Sequence, residues 1–252
     1  MSRLDRKEFK FIIPTALRDE IVERLQDKIG VDENAGANAG YPIVSQYYDT
    51  SDRACYWEKA DGLKHRRKLR VRVYGDENGE IPPTVFVEVK AKSFQRGVKR
   101  RLNVPLETAV ELALGKTESY ECLGRPDCRS ERMIVSEIAD LVHRRKFTPS
   151  VAIRYDRLAF QGSIGRDDLR ITFDSNLLCR FRDEELRPNC RDFDHELLDK
   201  DLCIMELKTI DSVPMWVCQL LAELKLRPRG FSKYCTSIER FDPRFASLAL
   251  AS

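Results

Sequence analysis

Arg66-Arg67-Lys68-Leu69-Arg70-Val71-Arg72-Val73-Tyr74 alternates basic and apolar residues with a period of two. That period is the signature of a β-strand. Lys68, Arg70 and Arg72 then share one face, and Leu69, Val71 and Val73 share the other. The apolar face must pack on a core. The basic face points either to solvent, as one side of an antiparallel sheet often does, or into an interior.

The same pattern recurs along the chain. Glu88 and Lys90 stand opposite Val87 and Val89, and Arg6, Glu8 and Lys10 alternate with Phe9 and Phe11. Tyr155 and Arg157 share a face, Arg170, Thr172 and Asp174 oppose Leu169, Ile171 and Phe173, and Glu206 and Lys208 oppose Met205 and Leu207. Strands that each present a basic residue on one face, with helices between them, predict an α+β fold whose antiparallel sheet could close, or nearly close, into a barrel with a polar, mostly positive lumen. Burying an unpaired cation costs several kcal/mol, and a domain is stable by only roughly 5–15 kcal/mol. Several inward cations therefore require a wet interior and a polyanion to fill it. The few inward glutamates cannot neutralise them but offer oxygen ligands to a divalent cation. The implied ligand is a phosphate chain with a metal.

Length and composition fit a single domain over residues 1–252. Charged residues make up 34% and hydrophobic ones 42%, and the net charge of +3 hides the segregation just described. No run of about 18 apolar residues predicts a membrane span. The start, Met1-Ser2-Arg3-Leu4-Asp5, is not of signal-peptide type, so a cytoplasmic location is expected. The eight cysteines form no Cys-x-x-Cys pair, which argues against zinc and for reduced thiols that pack as small core residues. Gly-rich phosphate loops are absent, so side chains must do any phosphate binding. His65, His143 and His195 lie in no catalytic motif.

The predicted strands are 4–13, 41–49, the basic stretch, 84–92, 97–104, 150–160, 169–173, 176–181 and 202–208. Helices are predicted over 15–29, 105–114 and 130–146. A last helix is predicted with Ser212 as cap and Pro214 in its first turn. Residues 182–201 read as a polar excursion, 120–129 as irregular chain, and 228–234 as a loop.

Several short motifs occur in order: Arg6-x-Glu8-x-Lys10, Tyr47-Tyr48-Asp49-Thr50, Lys68-x-Arg70-x-Arg72, Glu88-x-Lys90, Tyr155-x-Arg157-x-x-Phe160, Arg170-x-Thr172-x-Asp174, Met205-Glu206-x-Lys208 and Phe231-Ser232-Lys233-Tyr234. Together they resemble the polyphosphate polymerase domain of the vacuolar transporter chaperone (VTC) complex and its stand-alone bacterial relatives, within the triphosphate tunnel metalloenzymes (CYTH-like superfamily). The resemblance covers the chain from Arg6 to Tyr234. It implies a closed eight-stranded antiparallel β-barrel with flanking helices, and a tunnel that holds a nucleoside triphosphate with Mn²⁺ or Mg²⁺. It implies transfer of the γ-phosphoryl group of ATP to a growing polyphosphate chain. By motif, Arg70, Arg72, Lys90, Arg157, Arg170, Lys208 and Lys233 would grip the phosphates at the reacting centre. Arg6, Lys10, Lys68, Lys99, Tyr155 and Ser232 would assist in binding substrate. Glu206 would hold the metal, with Glu8 and Glu88 as further candidates.

Two departures refine that expectation. Many tunnel hydrolases carry Glu-x-Glu-x-Lys on the first strand, whereas Arg6 stands at the first position here. One metal ligand is thereby exchanged for a phosphate contact, as in the polymerase branch. The eukaryotic polymerases also carry an inositol-phosphate-sensing domain and membrane helices. These 252 residues show neither pattern, so regulation and export are not implied. The rival readings are a triphosphatase or nucleotidyl cyclase on the same fold, a non-catalytic polyphosphate binder, and an RNA-binding protein. The residues interleaved with the basic ones on the central strand are aliphatic, so nucleic acid is not the expected partner. ATP and inorganic polyphosphate are.

Overall fold

The computed structural model of the chain describes residues 6–25, 27–32, 40–76, 78, 80–94, 96–126, 128–163, 166–181, 185–190, 192–210 and 212–245. Its strands are β1 (Arg6–Pro14), β2 (Gly30–Val31), β3 (Gly40–Asp49), β4 (His65–Tyr74), β5 (Val85–Ser93), β6 (Arg96–Val104), β7 (Thr148–Ser163), β8 (Arg166–Arg180), β9 (His195–Glu196) and β10 (Leu202–Ile210). Its helices are α1 (Thr15–Leu25), α2 (Ala54–Ala60), α3 (Leu106–Ala113), α4 (Glu118–Glu121), α5 (Arg129–His143), α6 (Met215–Glu223) and α7 (Lys233–Phe241). None of these is long and apolar enough to cross a membrane.

All ten strands belong to one antiparallel sheet. The long ones run in the order β1-β10-β8-β7-β3-β4-β5-β6, with β2 attached to β7 and β9 to β8. The expected closed barrel needs correction. Eight long strands are present, but among the described residues no ladder joins β6 to β1. Both edge strands are basic, with Lys7 and Lys10 on β1 and Arg100 and Arg101 on β6. Like charges on facing edges oppose ladder formation. The sheet is nonetheless strongly curved. Lys90 on β5 lies within electrostatic reach of Glu8 and Lys10 on β1 and of Glu206 on β10, at the other end of the path.

Alternation decides which face is which. Leu69, Val71, Val73, Val87 and Val89 are buried in one apolar cluster, which includes Leu112 of α3 and Ile138 of α5. Leu169, Ile171, Phe173, Met205 and Leu207 are buried in a second, with Ile21 and Leu25 of α1 and Val217 of α6. Helices α1, α3, α5 and α6 therefore coat the convex side, and the polar members of each strand are left on the concave side. The buried stripe of α1 arises from its four-residue spacing.

Several local expectations differ from the structure. The pieces 169–173 and 176–181 are one strand, β8, with Asn176 at φ 52. Asparagine tolerates that left-handed conformation better than most residues, so the strand bends without ending. Helix α1 stops at Leu25, and α6 is capped by Pro214 rather than Ser212. Helix α2 was not foreseen. It follows a turn where Thr50 Oγ1 accepts from the Ala54 amide and Asp49 Oδ1 from the Cys55 amide. Residues 118–121, read as partly irregular chain, form the single turn α4. The excursion 182–201 contributes β9. It is tied to the convex side where Arg180 donates to the carbonyls of Glu185 and Asp192 and Arg154 donates to that of Pro188.

Candidate functional site

The concave face gathers its charge into three groups. In the first, β1 and β10 lie in register with Glu8 opposite Lys208 and Lys10 opposite Glu206. Lys208 Nζ is 2.6 Å from Glu206 Oε1, and Lys10 Nζ is 3.0 Å from Glu8 Oε1. Glu8 and Glu206 also touch each other. Burial opposes ionisation of Glu206, but Lys208 and Lys10 outweigh it and hold the carboxyl far below its usual range. Burial lowers the Lys208 pKa, against the pull of Glu206 and Glu8.

The second group is built on β4 and β5. Glu88 is 1% exposed and receives Arg70 at 2.5 Å and Lys99 at 3.2 Å, one on each oxygen. Burial is again outweighed, here by Arg70, Arg72 and Lys99, and the Glu88 carboxyl is held at about 2. Arg70 also donates to the Tyr47 hydroxyl at 3.2 Å. Arg72, 7% exposed, has no carboxylate within 4.0 Å among the described residues. It donates only to Ser45 Oγ at 3.0 Å and the Tyr74 hydroxyl at 3.4 Å. The Tyr47 phenol is lowered to about 8, because Arg70, Arg72 and Lys233 overcome the opposing effect of burial.

The third group joins β7, β8 and α7. Arg157 makes a two-point pair with Asp174, at 2.7 and 2.8 Å, and Lys233 reaches the same carboxylate at 2.6 Å. Asp174 is fully buried. Burial raises its pKa, but Arg157 and Lys233 prevail and bring it to about 2. Lys233 Nζ sits 4.5 Å from the centre of the Tyr155 ring, and the Arg157 guanidinium 5.3 Å from it. Burial pushes the Tyr155 phenol up to about 12. That ring is a buried floor beneath two cations. Ser232 caps α7 by accepting from the Cys235 amide, and so fixes the turn that delivers Lys233.

The remaining expected residues fall around these groups. Lys68 has the Tyr234 ring at 4.7 Å and Cys235 Sγ at 3.7 Å. Lys90 is open to water yet enclosed by the concavity, and its pKa is lowered first by burial and then by Arg70 and Lys10. Arg170 lies toward one end, held by Asp32 at 2.9 Å and donating to Gln161 Oε1 at 3.2 Å. The backbone of Arg6 belongs to β1, but its side chain lies outside the described residues. These ten cations (Lys10, Lys68, Arg70, Arg72, Lys90, Lys99, Arg157, Arg170, Lys208, Lys233), which are not all of that face's cations, stand against five carboxylates (Glu8, Asp32, Glu88, Asp174, Glu206). The concave face carries more positive charge than the whole chain.

Metal-binding capacity follows from the donor set. No group of three or more His, Cys, Asp or Glu converges among the described residues. Glu8 and Glu206, in contact, offer two hard oxygen donors beside the phosphate-binding cations. A Mg²⁺ or Mn²⁺ ion takes about six oxygen ligands, so such a pair suits an ion completed by phosphate and water. Both oxygens of Glu88 are engaged by cations.

Some functional geometry was not foreseen. Asp174 stood in a quoted motif without a role, and it anchors two of the expected cations. Tyr47 likewise stood in a quoted motif without a role, and its hydroxyl accepts from Arg70. The signal for Asp174 was its parity with Arg170, which places it on the same face. Nothing in the sequence pairs Tyr234 with Asp49, whose carboxylate accepts from the Tyr234 hydroxyl and docks α7.

Known proteins share both the sequence family and the fold of this chain. The sequence matches the VTC domain over residues 5–241. The chain belongs to the VTC-domain family. No curated protein matches this VTC-domain chain. Its fold resembles that of a putative adenylyl cyclase from Hippeastrum described as having a dominant triphosphatase activity, with a TM-score of 0.52, 15% identity, and 95% of this chain and 94% of that one covered. It also resembles a putative adenylate cyclase from Bacillus halodurans, with a TM-score of 0.50, 10% identity, and 94% and 98% covered. The chain therefore shares its fold with these two proteins.

Proposed function

We propose that this VTC-domain protein is a metal-dependent polyphosphate polymerase that transfers the γ-phosphoryl group of ATP to the end of an inorganic polyphosphate chain. The observation that carries this reading is the excess of cations on the concave face, above all Arg72, Lys68 and Lys90, which no carboxylate pairs among the described residues. A chain of phosphates supplies the missing negative charge along the length of the trough.

Glu206 and Glu8 hold the divalent ion, Mn²⁺ or Mg²⁺, which when bound neutralises phosphate charge and helps align the reacting groups. Glu88 and Asp174 act as internal counter-ions that set the positions of Arg70, Arg157 and Lys233. A terminal oxygen of the acceptor chain attacks the γ-phosphorus of ATP. The new bridging P–O bond forms as the β–γ bridge breaks, and ADP departs with that bridging oxygen. The attacking oxygen is already ionised, so no general base is needed. Such a reaction depends chiefly on positioning and charge stabilisation, which fits a site with no histidine in it. Arg70, Arg72, Lys90, Arg157, Lys208 and Lys233 hold the two chains end to end, with Lys10, Lys68 and Lys99 extending the grip. Arg170, Tyr155, Ser232 and Arg6 support the ends.

A hydrolase reading has one observation in its favour, the triphosphatase activity named for the Hippeastrum protein. Incubation with γ-labelled ATP and Mn²⁺ or Mg²⁺ separates the two. Label in long, phosphatase-sensitive chains is the expected result. Label released only as orthophosphate would replace the polymerase with a triphosphatase, and no turnover would leave a binder.

A further inference from the structure

The basic row of β4 does not end with Lys68. Arg66 lies two residues further along the same face, and its register partner on β5 is Lys92, just as Lys90 is the partner of Lys68. Two successive cross-strand pairs thus set cation against cation, an arrangement that is unfavourable without a counter-charge. Glu8 and Glu206 act on Lys90 only from a distance. Among the described residues no carboxylate lies within 4.0 Å of Arg66, Lys68, Lys90 or Lys92, and Arg66 donates only to the Leu63 carbonyl, at 3.0 Å. Elsewhere the same sheet does balance its charge, as when Glu88 lies opposite both Arg70 and Arg101. The row from Arg72 to Arg66 spans six residues, or about 20 Å of strand. At its outer end Arg66 is half-buried and its partner Lys92 is exposed. A nucleoside triphosphate gripped by Arg70, Arg72 and the Glu206 group does not need this extension.

We propose that Arg66 and Lys92 form an outer polyphosphate subsite, a ramp along which the chain continues beyond the trough. This rests on the polymerase reading but concerns a different property. The trough fixes which phosphates react, and the ramp fixes how firmly a long chain stays attached between additions. The ligand is a linear chain of phosphates longer than three. Its contacts are open to solvent and point-like, so they are weak singly and sensitive to salt.

The test compares wild type with the double variant Arg66→Gln/Lys92→Gln, using inorganic triphosphate and long-chain polyphosphate as probes. Removing two outer phosphate contacts should weaken long-chain binding by about tenfold. Triphosphate affinity should change by less than about twofold, and product chains should become shorter. The charge-preserving Arg66→Lys/Lys92→Arg variant should restore long-chain binding and serves as the control for folding. Equal losses for both probes, or no loss for either, would overturn the ramp. Should the protein make no polymer, the binding comparison still decides: a length-dependent loss keeps the subsite while the polymerase reading fails.

Discussion

Glu206 shows how one carboxylate among many cations admits two roles. As a counter-ion it would only relieve repulsion, and Glu206→Gln would then preserve turnover and strengthen anion binding. As a metal ligand it is needed for the reaction. The account predicts that Glu206→Gln loses nearly all polymer formation and flattens the dependence on Mn²⁺ or Mg²⁺, while metal-free polyphosphate affinity holds or rises. Steady-state rates against metal concentration read this directly, and wild-type rates with an unchanged titration would contradict it. Asp174 is the reverse case, since it is buried under two cations and is assigned no ligand. Asp174→Asn leaves Arg157 and Lys233 without their counter-charge and should cost about 3–5 kcal/mol in a denaturant titration. The pH dependence has a definite sign. Glu88 and Asp174 are both held at about 2 when folded, below their unfolded values of about 4. The unfolded chain therefore binds more protons between those limits, and stability should be fully present above about pH 5 and fall as pH drops toward 2. Melting curves across that range check it. At this scale the sequence was informative about cations, because alternation alone puts Arg70, Arg72 and Lys208 on one face. It was poor on partners: parity gives a face, but not which of several cations a carboxylate such as Asp174 will meet on the neighbouring strand and helix.

At the scale of elements, α7 is the piece that links helix and sheet chemistry. Its start was read as a loop because Pro228, Gly230 and Ser232 crowd together. Ser232 is instead a helix cap, with Lys233 in the first turn aimed at Asp174. Loss of such a cap costs about 1 kcal/mol. Ser232→Ala should therefore lower stability by about that amount and also weaken triphosphate binding, whereas Ser232→Asp should retain most of the stability. If both variants kept wild-type stability while losing triphosphate affinity, Ser232 would be acting as a phosphate ligand rather than as a cap. The long strands were legible because their apolar halves fill the two convex clusters. Helix α2 was not, because its start depends on Asp49 and Thr50 accepting from backbone amides, which hydrophobic periodicity does not report. The break expected near Asn176 was equally local, since a left-handed residue bends β8 without ending it.

For the molecule as a whole, a closed or nearly closed barrel was expected, and among the described residues no ladder joins β1 to β6. Periodicity says which side chains share a face. It does not say whether the last strand meets the first, which depends on the summed twist and on the charges along both edges. The same charges give the central claim its most direct test. Crowded cations without counter-ions strain the empty trough, and a ligand that binds only the folded state must stabilise it. The decisive measurement is the melting temperature against inorganic triphosphate concentration at low and high salt. The account predicts a rise that saturates with triphosphate and shrinks as salt screens the concave face. No shift at millimolar triphosphate, in low salt, would contradict it.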